Sequence, residues 1–119
     1  MSIDAQLSAI AVWQKQTFGT PDPAGIALKV QAEAAEFAAE VLACTAEDVP
    51  DGFGLTPEQE RLAEEGADLV FLVVDGFRAA GIPTWALAEA LARKLAKNKA
   101  RTWRRGEGGQ WSHVKGGTA

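Results

Sequence analysis

The chain has 119 residues, enough for one ordinary domain and short of the length at which a second independent core is expected. Hydrophobic residues make up 47% and charged residues 24%, which excludes wholesale disorder. The net charge of −4 is an average over an uneven distribution: residues 1–60 hold ten acids and two bases, residues 61–119 hold six acids and ten bases, and seven of those bases fall between Arg93 and Arg105. Two surfaces with different tasks are expected.

No apolar run approaches the roughly 20 residues of a membrane span, and the opening MSIDAQLSAI lacks the basic region and apolar core of a secretory signal. Cys44 is the single cysteine, so no internal disulfide can form, and a cytoplasmic setting without a membrane partner is expected. One cysteine and one histidine, His113, are too few for structural zinc, so any metal is expected to be held by oxygen.

Four helices are predicted. The first covers Ser2 to Phe18, with Ile3, Leu7, Ile10 and Trp13 on one face, and is stopped by Gly19 and the Pro21-Asp22-Pro23 turn. The second runs from about Ala24 to Ala46, and Asp48 to Thr56 reads as a loop. Thr56-Pro57-Glu58-Gln59 has the residues of a capping box and starts the third helix, which extends to about Ala80. Its middle, Leu69 to Val74, is apolar on every side, so one side is expected to pack against another copy of the chain. Thr84 caps the fourth helix, where Leu87, Leu91 and Leu95 give way to Lys94, Lys97, Asn98 and Arg101. A helical catalytic domain over residues 1–104 and a glycine-rich tail over 105–119 complete the expected organisation.

Glu33, Glu36 and Glu40 recur at i, i+3, i+7 and form one acidic stripe on the second helix; Glu65, Asp68 and Asp75 form another on the third. Asp68 and Asp75 bracket an apolar run, where an ionised carboxylate is costly unless it is paired or bound to a cation. Two such stripes facing each other would suit magnesium or manganese; a solvated acidic face is the alternative. Lys94, Lys97, Asn98 and Arg101 share one face of the fourth helix and could hold an anion carried on those metals. An ordinary helix end with cations at its dipole is one alternative. Another is a small nucleic-acid-binding module using residues 93–105 with Trp103 and Trp111, which the overall acidity disfavours.

Glu33-x-x-Glu36 on one helix and Glu65-x-x-Asp68 on the next, followed by Lys94-x-x-x-Asn98 and Arg101, resemble the signature of the all-α nucleoside triphosphate pyrophosphohydrolases, the MazG-like superfamily. Trp13-Gln14-x-x-Thr17-Phe18-Gly19, Lys97-Asn98-Lys99-Ala100-Arg101-x-Trp103 and Trp111-x-His113-Val114 are similar to a short branch with phage and bacterial dATP/dGTP diphosphohydrolases. The likeness departs in the Asp48 to Thr56 loop.

The resemblance implies an all-α, four-helix MazG-like bundle that assembles as a homodimer or homotetramer. It implies magnesium or manganese on Glu33, Glu36, Glu65 and Asp68, and phosphates on Lys94, Asn98 and Arg101, with Lys97 beside them. The implied reaction takes a nucleoside triphosphate, dATP or dGTP, and water to monophosphate and pyrophosphate, with Glu36 or Glu33 accepting the proton of the attacking water. Trp13, Gln14 and Phe18 are the candidates for base and sugar contacts. Trp103 could cover the site from a neighbouring subunit.

Overall fold

The computed structural model describes residues 2–44 and 54–115. Helix α1 spans Ile3–Phe18, α2 spans Pro23–Ala43 and α3 spans Pro57–Ala79. Local chemistry explains each start. Ser2 Oγ accepts from the Ala5 N–H at 3.1 Å, and Pro23 occupies the first turn of α2, where its missing N–H costs nothing. At Thr56 the expected capping box is present: the Gln59 N–H donates to Thr56 Oγ1 at 3.2 Å and the Thr56 N–H donates to Gln59 Oε1 at 3.0 Å.

Helix α1 ends on Gly19, whose φ of 69° lies in the left-handed region that favours glycine. Its N–H returns to the Lys15 carbonyl at 3.1 Å, turning the chain toward α2. Helix α2 stops at Ala43, short of the expected end at Ala46, because Cys44 takes an extended backbone as its C-cap; most of the expected loop after it lies outside the described residues.

Residues Met1–Thr84 form one compact unit. Within it α3 packs against both α1 and α2. Leu7 of α1 and Val74 of α3 are buried, at 2% and 0% exposure, and form the centre of that packing. The run Leu69 to Val74 lies inside α3, as the upstream cap predicts, yet Val70, Phe71 and Val73 remain exposed in one copy of the chain. No residue of α2 is fully buried, and Leu28 and Leu42 stand open.

The second unit is Trp85–Ala119. It contains most of α4, which spans Thr84–Ala100, and two short strands, β1 at Trp103–Arg105 and β2 at Trp111–His113. The strands pair antiparallel, with Trp103 opposite His113, Arg104 opposite Ser112 and Arg105 opposite Trp111. The connection closes through Gly106 N–H to the Gln110 carbonyl at 2.7 Å and Gly109 N–H to the Gly106 carbonyl at 3.0 Å, with Gly109 at φ 84°. The segment expected as a glycine-rich tail therefore carries the second strand of a hairpin. Its glycines supply the turn, and the tryptophans flanking them favour an extended backbone.

Among the described residues no single helix is long and apolar enough to cross a membrane.

Candidate active site

Glu33 and Glu36 lie one turn apart on α2, and Glu65 projects from α3. One carboxylate oxygen from each of the three lies within 4.8 Å of the others. The oxygens Glu33 Oε2 and Glu65 Oε2 are shielded from solvent and have no hydrogen-bond partner among the described residues. Such groups are held against their desolvation cost by the packing of α2 on α3. Burial first, then a carboxyl hydrogen bond to Glu36 and its repulsion, then Asp68, push the Glu33 pKa up; Lys29 draws it partly back. The Glu65 carboxyl is also pushed up, first by burial and then by the charges of Glu36, Glu33 and Asp68.

This donor set is hard, oxygen-only and anionic. Two buried acceptors without donors fit a divalent cation of the magnesium or manganese type.

Asp68 stands apart from that triad. It is exposed, acts on Glu33 and Glu65 through its charge, and borders the adjoining cleft. The other members of the two predicted stripes are engaged elsewhere. Glu40 meets Arg61 at 3.8 Å. Asp75 Oδ1 accepts from Arg78 Nε at 3.0 Å and Nη2 at 2.8 Å. An i, i+3 arginine is the helical neighbour that neutralises an acid in an apolar run, and the spacing Asp75-x-x-Arg78 is the sequence signal for it.

The cleft beside the carboxylates has a volume of about 580 Å³. Glu33 and Asp68 stand in its wall, as do Trp13, Gln14 and Phe18. Trp13 lies edge-on to Phe18 at 5.2 Å and to Phe71 at 6.0 Å between ring centroids. It remains 47% exposed, so although it is in phase with the apolar face of α1 it is a wall of the cleft and not a core residue.

Gln14 is 2% exposed; its Nε2 donates to the Phe71 carbonyl at 2.8 Å, and its Oε1 has no partner among the described residues. Because a carbonyl can only accept, that bond sets which end of the amide is left as an acceptor. Lys29 also lines the cleft and enters no ion pair among the described residues, a placement that spacing alone did not reveal. Arg78 ties the cleft wall together by donating from Nη1 to the Gly19 carbonyl at 3.1 Å.

The predicted phosphate ligands Lys94, Lys97, Asn98 and Arg101 all belong to the second unit. Asn98 serves here as an organiser. Its Oδ1 accepts from Arg101 Nη1 at 3.1 Å, and its carbonyl accepts from Trp103 Nε1 at 2.8 Å. Trp103, the candidate for covering a site from a neighbouring subunit, lies edge-on to His113 of its own chain with ring centroids 6.1 Å apart.

An all-α chain with Glu-x-x-Glu and Glu-x-x-Asp brought onto facing helices beside an aromatic cleft is a MazG-like protein. Residues 57–118, more than half of the chain, match the family model described as dATP/dGTP pyrophosphohydrolase, and the chain belongs to that family of enzymes. The match includes Glu65, Asp68, α4 and the hairpin; Glu33 and Glu36 lie outside it, and the packing of α2 on α3 brings them to Glu65.

The chain is also similar to a solved structure of the MazG-like pyrophosphohydrolase of cyanophage S-2L, at 27% identity and a TM-score of 0.60, over 98% of this chain and 96% of that one. That protein is described as bound to dGDP and three catalytic Mn2+ ions per active site. A comparison with curated proteins gives no match.

Proposed function

We propose that the enzyme hydrolyses a purine deoxynucleoside triphosphate, dATP or dGTP, to the monophosphate and pyrophosphate. The observation that carries this reading is the junction of two features in one unit: a cluster of carboxylates with unsatisfied buried oxygens, and an aromatic cleft large enough for a nucleoside. Glu33, Glu36 and Glu65, with Asp68 beside them, would hold magnesium or manganese. Bound there, the cation would neutralise phosphate charge and make water a stronger nucleophile at neutral pH.

The chain's own residues divide the remaining work. Trp13 and Phe18 pack on the base and sugar, and Gln14 presents an acceptor to an N–H of the base. Glu36 or Glu33 takes the proton from the attacking water; the Glu33 carboxyl, pushed up by its surroundings, is a stronger base than a solvated one. Lys94, Lys97, Asn98 and Arg101 bind the phosphates.

The active form is a homo-oligomer, dimer or tetramer. In support, large apolar side chains of three helices stand open in the single chain, among them Leu28, Val73, Trp85 and Leu91. The single cysteine supports a cytoplasmic setting.

The test is a panel of the eight common nucleoside triphosphates with magnesium or manganese, with products resolved by chromatography. Release of monophosphate and pyrophosphate, fastest for dATP or dGTP, is expected. Glu36→Gln and Asp68→Asn are expected to abolish turnover in a folded protein; diphosphate as the product, or activity retained in both variants, would overturn the assignment.

A further inference from the structure

The hairpin carries the chain's single histidine into a field of cations. His113 is half-buried on β2, opposite Trp103 in the strand register and in edge contact with its ring. Trp103 in turn is bonded to the Asn98 carbonyl at the end of α4, and the Val114 N–H donates to the Thr102 carbonyl at 2.8 Å. These bonds fasten the hairpin to the basic end of the helix, where Asn98 also orients the Arg101 guanidinium.

The groups acting on the imidazole are Arg101 just past the end of α4, Lys94 and Lys97 on α4, and Lys115 just beyond β2, with no carboxylate among them. Among the described residues Lys94, Lys97, Arg101 and Lys115 enter no ion pair. Four cations that enter no ion pair among the described residues and all act on one half-buried ring make a field that an anion of several charges relieves. The charge of Arg101 first, then burial, then Lys115, Lys94 and Lys97 hold the imidazole below its ordinary titration range, so the ring is neutral at neutral pH in the unliganded protein.

We propose that the hairpin is part of the anion site, and that His113 and Lys115 join the α4 cations in binding the polyphosphate of the nucleotide, His113 taking up a proton as the anion binds. The proposal rests on the phosphate-binding reading of α4 given above and adds a ligand and a proton to it. The balance is simple. A polyanion at the cluster cancels the repulsion that keeps the imidazole neutral, the ring takes a proton from solvent, and the resulting imidazolium donates to a phosphate oxygen. By linkage, the affinity for polyphosphate falls as pH rises through the titration of the bound state.

Because the chain has one histidine, its imidazole proton resonance needs no assignment. The experiment follows that resonance against pH in the full-length protein with EDTA present, alone and with saturating inorganic tripolyphosphate, so the carboxylate cluster takes no part. The expected result is an upward move of the titration on binding, with the protonated form binding tripolyphosphate about tenfold more tightly than the neutral form. His113→Ala should abolish that pH dependence while retaining binding at alkaline pH, and Lys115→Ala should reduce the move.

An unmoved titration overturns the proposal, as does a move produced by a single-stranded oligonucleotide and not by tripolyphosphate, which would mark a nucleic-acid surface. Turnover of triphosphates with manganese is measured on the same preparation. Turnover with an unmoved titration removes the hairpin from the site and leaves the hydrolase reading intact. A moved titration without turnover leaves the anion site and removes that reading.

Discussion

Arg78 offers the sharpest test of how the cleft is held open. Its side chain and that of Asp75 are 13% and 15% exposed, and the guanidinium makes two bonds to Asp75 Oδ1 and one to the Gly19 carbonyl. Arg78→Ala removes all three and leaves Asp75 largely buried without a counter-charge. Breaking a fully buried pair costs about 3–5 kcal/mol, and the residual exposure of both groups lowers that, so a loss of about 2–4 kcal/mol is expected. Urea unfolding reads this as a lower midpoint at unchanged slope.

Asp75→Ala/Arg78→Ala should be less destabilised than Arg78→Ala, because the stranded carboxylate is gone. Activity provides an independent readout. Gly19 begins the turn that continues through Thr20 and Pro21 into the cleft wall, so Arg78→Ala should raise KM several-fold with little change in kcat. Arg78→Lys, with one donor centre instead of a fork, should fall between. A stability change under about 0.5 kcal/mol for Arg78→Ala, with KM unchanged, would refute the idea that this guanidinium ties α3 to the end of α1.

The acidic cluster predicts an inverted pH dependence. Glu33 and Glu65 titrate above their ordinary 4.5 in the folded chain, so they contribute stability that is present below 4.5 and is lost as pH rises through their folded values. Melting curves in EDTA should show this decline, and Glu33→Gln/Glu65→Gln should remove it; an unchanged slope in that variant would contradict the cluster's geometry. Manganese requires the ionised carboxylates, so the rise in Tm that it produces should grow with pH over the same window. Thr56→Ala should cost about 1 kcal/mol by urea unfolding without affecting KM, since it removes one half of a capping box at the start of α3, outside the lining of the cleft.

The helices were legible because their punctuation is local. Thr56, Pro57 and Gln59 announce α3 in four residues, and Gly19 ends α1 by a conformation other residues resist. The two acidic stripes were legible from helical spacing, because i, i+3 on α2 and a matching face on α3 converge once two helices pack; the family resemblance narrowed them to Glu33, Glu36, Glu65 and Asp68, of which the first three cluster. The departures have equally physical causes. Asp75 satisfies the same spacing rule as Glu65 and Asp68, but its charge is spent on Arg78, and periodicity cannot rank a metal against a neighbouring guanidinium. Trp13 is no departure: it is in phase with the apolar face of α1, and Phe71 and Phe18 supply an edge instead of a cover, which leaves it in the cleft wall with Gln14 and Phe18. The hairpin was hidden because its strands have three residues each, too few to display an alternation.

The two charge clusters share one energetic logic. On α2 and α3 three carboxylates are held within 4.8 Å of one another, and around His113 four cations act on one imidazole. Each arrangement is self-repelling in the ligand-free chain: the Glu33 and Glu65 carboxyls are pushed up and the His113 imidazole is pushed down, each in the direction that sheds charge. A cation relieves the first and a polyanion the second. The metal complex of a nucleoside triphosphate, the proposed substrate, carries both charges, whereas a free cation or a free nucleotide carries only one. The stabilisation measured with metal and nucleotide together should therefore exceed the sum of the two measured separately. At a hundredfold excess over Kd a single ligand contributes about 2.7 kcal/mol. A merely additive result would show that the two clusters titrate and bind independently.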